Sequence, residues 1–347
     1  MHMAATIGVS FEKNIGRLLN ELSPRARGII KRRYGLALAA PMTLEAIGKK
    51  EKITRERVRQ IEYDALGKLK KSEVLSALSR ERGFVVDTIQ RYGGVVAEEA
   101  LLSAPEFGSV HDKKNLVLFL DLCDALRRRS ESDAFYARWH AVDAPVGNVE
   151  SAMLELSREL ALTRTTLKEE DMLKAIESKL KKAGIEDIRP VILTSYIGIS
   201  KELQKNTWGE YGHIASPFVR PRGMRDGAYV VLARAKEPLH FREIAKRIEE
   251  FSPRNVHVQT VHNELIKDDR FVLVGRGLYA LQEWGYEPGF IKDVLVRLIK
   301  ERGALSKEEI VSEILKLRQV KPGTILINLQ NKKLFRPLDN GTYTLVS

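Results

Sequence analysis

Apolar residues recur along this chain at helical spacing, in short stripes broken by glycine, proline or charge. The sharpest stripes lie in TLEAIGKKEKITRERVRQIEYDALGKL, residues 43–69. Leu44 and Ile47 give a first short helix one apolar face, Thr43 is placed to cap its N-terminus, and Gly48 stands where that helix is expected to stop and turn. Thr54 is placed to cap a second helix, in which Val58, Ile61, Ala65, Leu66 and Leu69 fall at i, i+3, i+7, i+8 and i+11. One face is therefore core, and the pair reads as a helix-turn-helix.

The same spacing extends in both directions. Upstream, Phe11, Ile15, Leu18 and Leu19 predict a lead-in helix packed on this motif, and Ser23 followed by Pro24 opens a helix running through Ile29, Ile30 and Tyr34 to Gly35. Downstream, the pattern predicts a helix over 75–91 ending at Gly93-Gly94, a short segment over 98–102, an apolar helix over 116–126 and an aromatic, β-like stretch over 135–139. That is the outline of a winged helix. VDAPVGN, residues 142–148, reads as a linker. Helices follow near 149–160, 168–180 and 188–196, closing with Trp208, Tyr211 and His213, and PFVRPRG at 217–223 marks the next boundary.

The last 125 residues repeat internally. Thr260, Leu265, Phe271, Gly277, Tyr279 and Leu281 recur as Thr324, Leu329, Phe335, Gly341, Tyr343 and Leu345, each 64 positions later. Leu239, Ile244 and Ile248 recur as Leu305, Ile310 and Ile314 at an offset of 66. Each copy reads as three helices and a two-stranded wing turning at Gly277 or Gly341. The expected organisation is a helix-turn-helix over 1–80, winged helices over 81–145 and 146–222, and two copies of a winged-helix repeat over 223–287 and 288–347. The fold class is mainly α: tandem helix-turn-helix and winged-helix modules with small β wings.

Composition narrows the function. A chain of 347 residues with 44% hydrophobic content can bury several cores. Cys123 is the one cysteine, which excludes a disulfide framework, fits a reducing cytoplasm and reads as a small buried hydrophobe. Neither a membrane-spanning apolar run nor an export signal is read. Residues 1–80 carry 17 Lys and Arg against 8 Asp and Glu, a surplus of nine out of the chain's net +12. The electrostatic footprint of a nucleic-acid binder is therefore concentrated in the helix-turn-helix. Residues 223–287 balance at ten against ten, and residues 288–347 carry 11 Lys and Arg against 6 Asp and Glu, so Lys332, Lys333 and Arg336 are candidates for an auxiliary DNA contact.

A charged helix face is ordinarily just solvated, but the second helix has more on it than charge. Arg55 and Arg59 lie one turn apart, as do Glu56 and Gln60, all on the N-terminal half from which recognition helices present base-reading side chains. Arginine grips guanine O6 and N7, glutamine pairs with adenine N6 and N7, and glutamate accepts from cytosine N4. LSPRARGIIKRRYGL, TLEAIG and TRERVRQIEYDALGKL together resemble region 4 of the bacterial primary sigma factors, which reads the promoter −35 element. By position, the resemblance implies Arg55, Glu56 and Gln60 as base readers, with Arg57 and Arg59 near the DNA backbone. Thr54 and Lys68 complete the expected DNA-binding set. The chain departs from the family at Ala26, where a glutamate is common, and at Asp64 and Gly67, in place of basic positions that help hold phosphate.

A second resemblance covers about 60 residues. EPLHFREIAKRI, TVHNELIKDDRFVLVGRGLYAL and Trp284 are similar to the HARE-HTH family, a winged-helix module of the polymerase delta subunit and of chromatin and restriction-linked proteins. It implies attachment to transcription or DNA-modification machinery. Catalytic chemistry is not read: His257 and His262 lack a partnering glutamate and metal-site spacing, and Gly275-Arg276-Gly277 has no phosphate-loop pattern. The expectation is a non-enzymatic, cytoplasmic transcription factor without metal, cofactor, membrane or small-molecule ligand, whose partners are promoter-type double-stranded DNA and RNA polymerase core. The alternatives are an accessory polymerase subunit working by protein contact and a DNA-targeting component of a restriction or defence system.

Overall fold

The computed structural model describes residues 11–36, 40–107, 110–252, 255–286, 289–318 and 320–346, apart from the side chains of 110–112. The reading of the first ten residues lies outside this set. Two compact units emerge: one draws on residues up to Thr163 with Leu167–Lys205 and Gly209–His213, the other on Arg164–Thr166, Asn206–Trp208 and the chain from Ile214 onward. The fold is mainly helical, with small antiparallel sheets.

The helical stripes near the N-terminus fold as their spacing dictates. Phe11, Ile15, Leu18 and Leu19 are buried along the helix Phe11–Leu19. Pro24–Arg33 opens with the Ser23 Oγ accepting from the Ala26 N–H. Leu44–Glu51 and Arg55–Lys70 are the helix-turn-helix pair, held to the helix before them by Ile29, Ile47 and Val58. On its other side the motif is fixed to the next module along the chain: Ile30, Ala65 and Leu69 join Phe11, Ile15, Val85, Phe119 and Trp139 in one larger core. The Phe11 ring meets Phe119 edge-on at 5.2 Å, so the lead-in helix packs on that module as well as on the helix-turn-helix.

Two expectations need correction here. The first helix of the pair does not stop at Gly48; it runs to Glu51 and ends on Lys52, whose φ of 55° is left-handed. Gly48 is buried instead because the Ile53 carbonyl passes 2.8 Å from where a Cβ would stand. The expected helix over 75–91 is two helices, Glu73–Ala77 capped by Ser72 and Ser79–Arg91, with the chain breaking at Leu78.

Downstream, among the described residues, one pattern occurs four times: a helix, a short strand, two more helices and a hairpin. Its copies start from the helices Ser79–Arg91, Val146–Thr163, Met224–Ala235 and Ile291–Arg302. In each copy the sheet order is first, third, second strand, so the strand between the helices pairs with the last strand of the wing. In the two later copies the recurring residues take the same places: Leu265 and Leu329, Phe271 and Phe335, and Ile244 and Ile310 are buried. Gly277 and Gly341 turn the wings at φ of 72° and 80°.

The first copy departs from expectation at its C-terminal end. The helix is Val110–Leu122, not 116–126, and Leu126–Arg129 is an edge strand. Two of its three arginines are paired: Arg128 forks onto Glu98 at 2.5 and 2.8 Å, and Arg129 pairs with Glu150 at 2.6 Å, while Arg127 is exposed and donates to the Asp124 and Leu126 carbonyls. Glu150 also takes Arg138, which is 4% exposed. The segment 142–148 is only partly a linker, because the next helix begins at Val146 and buries Val146 and Val149.

The first two copies are interlocked within their unit. Val95, Ala97 and Phe135 of the first pack in the core of the second. Tyr196 Oη donates to the Gly93 carbonyl at 2.7 Å, and Ser195 Oγ donates to the Val95 carbonyl at 3.0 Å. Cys123 is buried, which pushes its thiol up to about 12.

Another tie joins the helix-turn-helix to the first copy: Tyr34 Oη donates to Asp121 Oδ2 at 2.8 Å. Burial pushes the Asp121 carboxyl up, against the pull of the Tyr34 hydroxyl, Arg128 and Lys70. A carboxyl raised in the folded state makes folding less favourable at neutral pH, and that penalty fades as pH falls from the raised value toward the ordinary carboxylate range. Asp121→Asn keeps an oxygen for Tyr34 and removes the charge. It is expected to unfold at higher urea than the parent at pH 7, with the gap closing in acid; urea titrations across that range check this.

Candidate nucleic-acid interface

The recognition helix is built from its cap outward. Thr54 Oγ1 accepts from the Arg57 N–H at 3.1 Å, and the turn ahead of it is closed by the Ile53 N–H donating to the Gly48 carbonyl at 3.0 Å. Thr54 thus spends its side chain on holding the helix start. Beneath, Val58, Ala65 and Leu69 are buried, with Ile61 and Leu66 half-buried. Arg55, Glu56, Arg57, Arg59 and Gln60 are all exposed on the other side.

Four of these five side chains pair with one another. Arg59 forks onto both Glu56 oxygens at 2.7–3.1 Å, and Arg57 Nη1 donates to Gln60 Oε1 at 3.2 Å. The Arg59 hydrogen bond lowers the Glu56 carboxyl below the usual range and in turn raises Arg59. Both partners are more than half exposed, at 57% and 58%, so water screens the pair and it opens readily. Arg55 is left facing solvent at the helix N-terminus. The surface therefore offers donor forks, an amide and a carboxylate, the groups that match base edges in a major groove.

Cations elsewhere on the motif separate from this surface. Lys68 lies about 20 Å along the helix from Arg55 and donates to the Glu21 carbonyl at 2.6 Å. Arg32 pairs with Glu51 at 2.6 Å and Arg33 with Glu62 at 3.1 Å, which ties the preceding helix to the motif. Lys50, in the last turn of the helix Leu44–Glu51, and Lys52, which ends it, are exposed. Sequence reasoning passed over both, although the KKEK run was the available signal. Lys332, Lys333 and Arg336 are exposed on the last wing.

The histidines find structural roles. His262 stacks on Phe241 at 4.3 Å and meets Tyr279 edge-on at 5.9 Å, while His257 is the N-cap residue of Val258–Lys267. Among the described residues, no three His, Cys, Asp or Glu side chains gather as a metal site, and no helix is long and apolar enough to cross a membrane.

Comparison with known proteins bears on this surface directly. Residues 18–71 match the family model of Sigma-70, region 4. The chain is 46% identical over 67 residues to the RNA polymerase principal sigma factor HrdD of Streptomyces coelicolor, covering 19% of this chain and 18% of that protein. It is 47% identical over 58 residues to the RNA polymerase sigma factor SigA of a Nostoc species (17% of this chain, 15% of that protein) and 51% identical over 53 residues to SigA1 of Synechococcus elongatus (15% and 13%). The chain spans less than a fifth of the length of these relatives. The segment that matches is the one that presents Arg55, Glu56 and Gln60.

Proposed function

We propose that this protein is a DNA-binding transcription factor that works with bacterial RNA polymerase, its helix-turn-helix reading promoter-type duplex DNA in the major groove. The observation that carries this reading is the uncovered outward face of Arg55–Lys70, where five polar side chains stand clear of the core beneath them. The sigma region 4 match over 18–71 supports the same assignment. Arg55, Glu56 and Gln60 inspect bases, while Arg57, Arg59, Lys50 and Lys52 meet phosphates on either side. The four winged modules, the third with its HARE-HTH likeness, dock on polymerase or on neighbouring DNA.

The second reading, an accessory polymerase subunit working through protein contact, draws on the last of those modules. Its third helix, Pro322–Leu329, has no charged residue and exposes Leu326 and Ile327, a surface suited to protein rather than to a phosphate backbone. Selection of binding sites from a random duplex library by the full chain separates the two. Enrichment of one motif supports promoter reading. A flat library, together with capture of purified core polymerase, overturns it in favour of the accessory subunit.

A further inference from the structure

Tyr63 is a large apolar side chain exposed at 73%, on the helix that carries the polar face just described. At about 100° per residue, Glu56, Gln60, Tyr63 and Gly67 fall within about 60° of one another, directly opposite buried Val58, Ala65 and Leu69. Tyr63 therefore continues the stripe of candidate base readers; it does not flank it. It stands about 10 Å beyond Glu56 along the axis, roughly three base-pair steps. One turn on, Gly67 leaves the helix surface bare, with no atom within 4 Å of where its Cβ would be.

We infer that Tyr63 is a specificity-determining residue of this helix, reading the C5-methyl group of a pyrimidine in the major groove. This deepens the DNA-reading proposal and rests on it. Bases lie under the middle of a docked helix and phosphates along its flanks, and Tyr63 is in the middle. Its neighbour Asp64 is exposed and acidic, which disfavours phosphate there. Lys68 is engaged with the Glu21 carbonyl, so it supplies no cation beside the ring. What remains is an aromatic face, and the apolar feature of the major groove is the methyl group of thymine. 5-Methylcytosine carries the same group at the same place.

The test uses the full chain and its selected site. Each thymine in turn is replaced by uracil, which removes only the methyl group, and affinity is measured for the parent, Tyr63→Ala and Tyr63→Phe. One position is expected where uracil weakens the parent and Tyr63→Phe by about three- to tenfold, the size of one buried methyl group, and leaves Tyr63→Ala unchanged. With cytosine in place of thymine at that position, 5-methylation is expected to tighten binding of the parent and Tyr63→Phe by a similar factor and to leave Tyr63→Ala unchanged; no gain on methylation would overturn the methyl account. If no thymine shows this coupling while Arg55→Ala still lowers selectivity, Tyr63 is not a base reader and the wider proposal stands. If the library yields no motif at all, both fall together.

Discussion

Arg55→Ala and Gln60→Ala are each expected to lower affinity for the selected site by about 5- to 150-fold, equivalent to losing one bidentate base contact of about 1–3 kcal/mol. Binding to unrelated duplex should change far less, because the exposed lysines around the turn, Lys49, Lys50 and Lys52, are untouched. The helix itself should survive both substitutions, since alanine is the best helix former and neither side chain packs on the core. Competition titrations against the selected and a scrambled duplex, at matched salt, measure the ratio. A variant that loses both affinities equally would make Arg55 a phosphate contact. Glu56→Ala has a second consequence, because it frees Arg59 from its partner. It is expected to relax selectivity while raising non-specific affinity, an opposite pair of changes that simple unfolding cannot produce.

Gly93→Ala is expected to produce the largest loss of stability in the first unit, about 3 kcal/mol. Two costs add. The residue sits at φ of 82°, a left-handed conformation costing an alanine about 1 kcal/mol. Its Cβ would also stand 2.5 Å from both the Ile192 Cγ2 and the Tyr196 Oη. Tyr196 is 1% exposed and donates to the Gly93 carbonyl, so it has little room to withdraw, and overpacking of this kind costs about 1–3 kcal/mol. Gly83 is the control. It lies inside the helix Ser79–Arg91 with nothing within 4 Å of its Cβ position, so Gly83→Ala should stabilise by up to about 1 kcal/mol. Chemical denaturation of the parent and both variants gives the comparison, and equal midpoints for the two would remove the packing account of Gly93.

Much of this was legible before any coordinates, for a physical reason visible at particular residues. Caps act over three residues, so Ser23, Thr43 and Thr54 announced their helices and their side chains accept from Ala26, Ala46 and Arg57. Apolar stripes act over one or two turns, so the buried sets in Phe11–Leu19 and Arg55–Lys70 were foreseeable. The 64-residue recurrence was visible because the same core positions demand the same residues in both later copies.

Other features lay beyond a local reading. Gly48 looked like a helix terminator because glycine commonly is one, whereas the close approach of the Ile53 carbonyl depends on how the turn folds back. The pairing of Arg128 and Arg129 with Glu98 and Glu150 could not be read locally, because those carboxylates lie about 20–30 residues away in the chain. The first two winged copies share their element order with the later pair without a recurrence as plain in residues.

The chain by itself determined the helices of the N-terminal motif, their caps, the polar face from Arg55 to Gln60 and the paired repeats, because each is set by interactions reaching no further than a turn or by composition at regular intervals. Only the tertiary structure decided which charges stay available and which are consumed. Whether an arginine meets solvent, a distant carboxylate or a neighbouring helix depends on the contacts that folding makes between residues far apart in sequence.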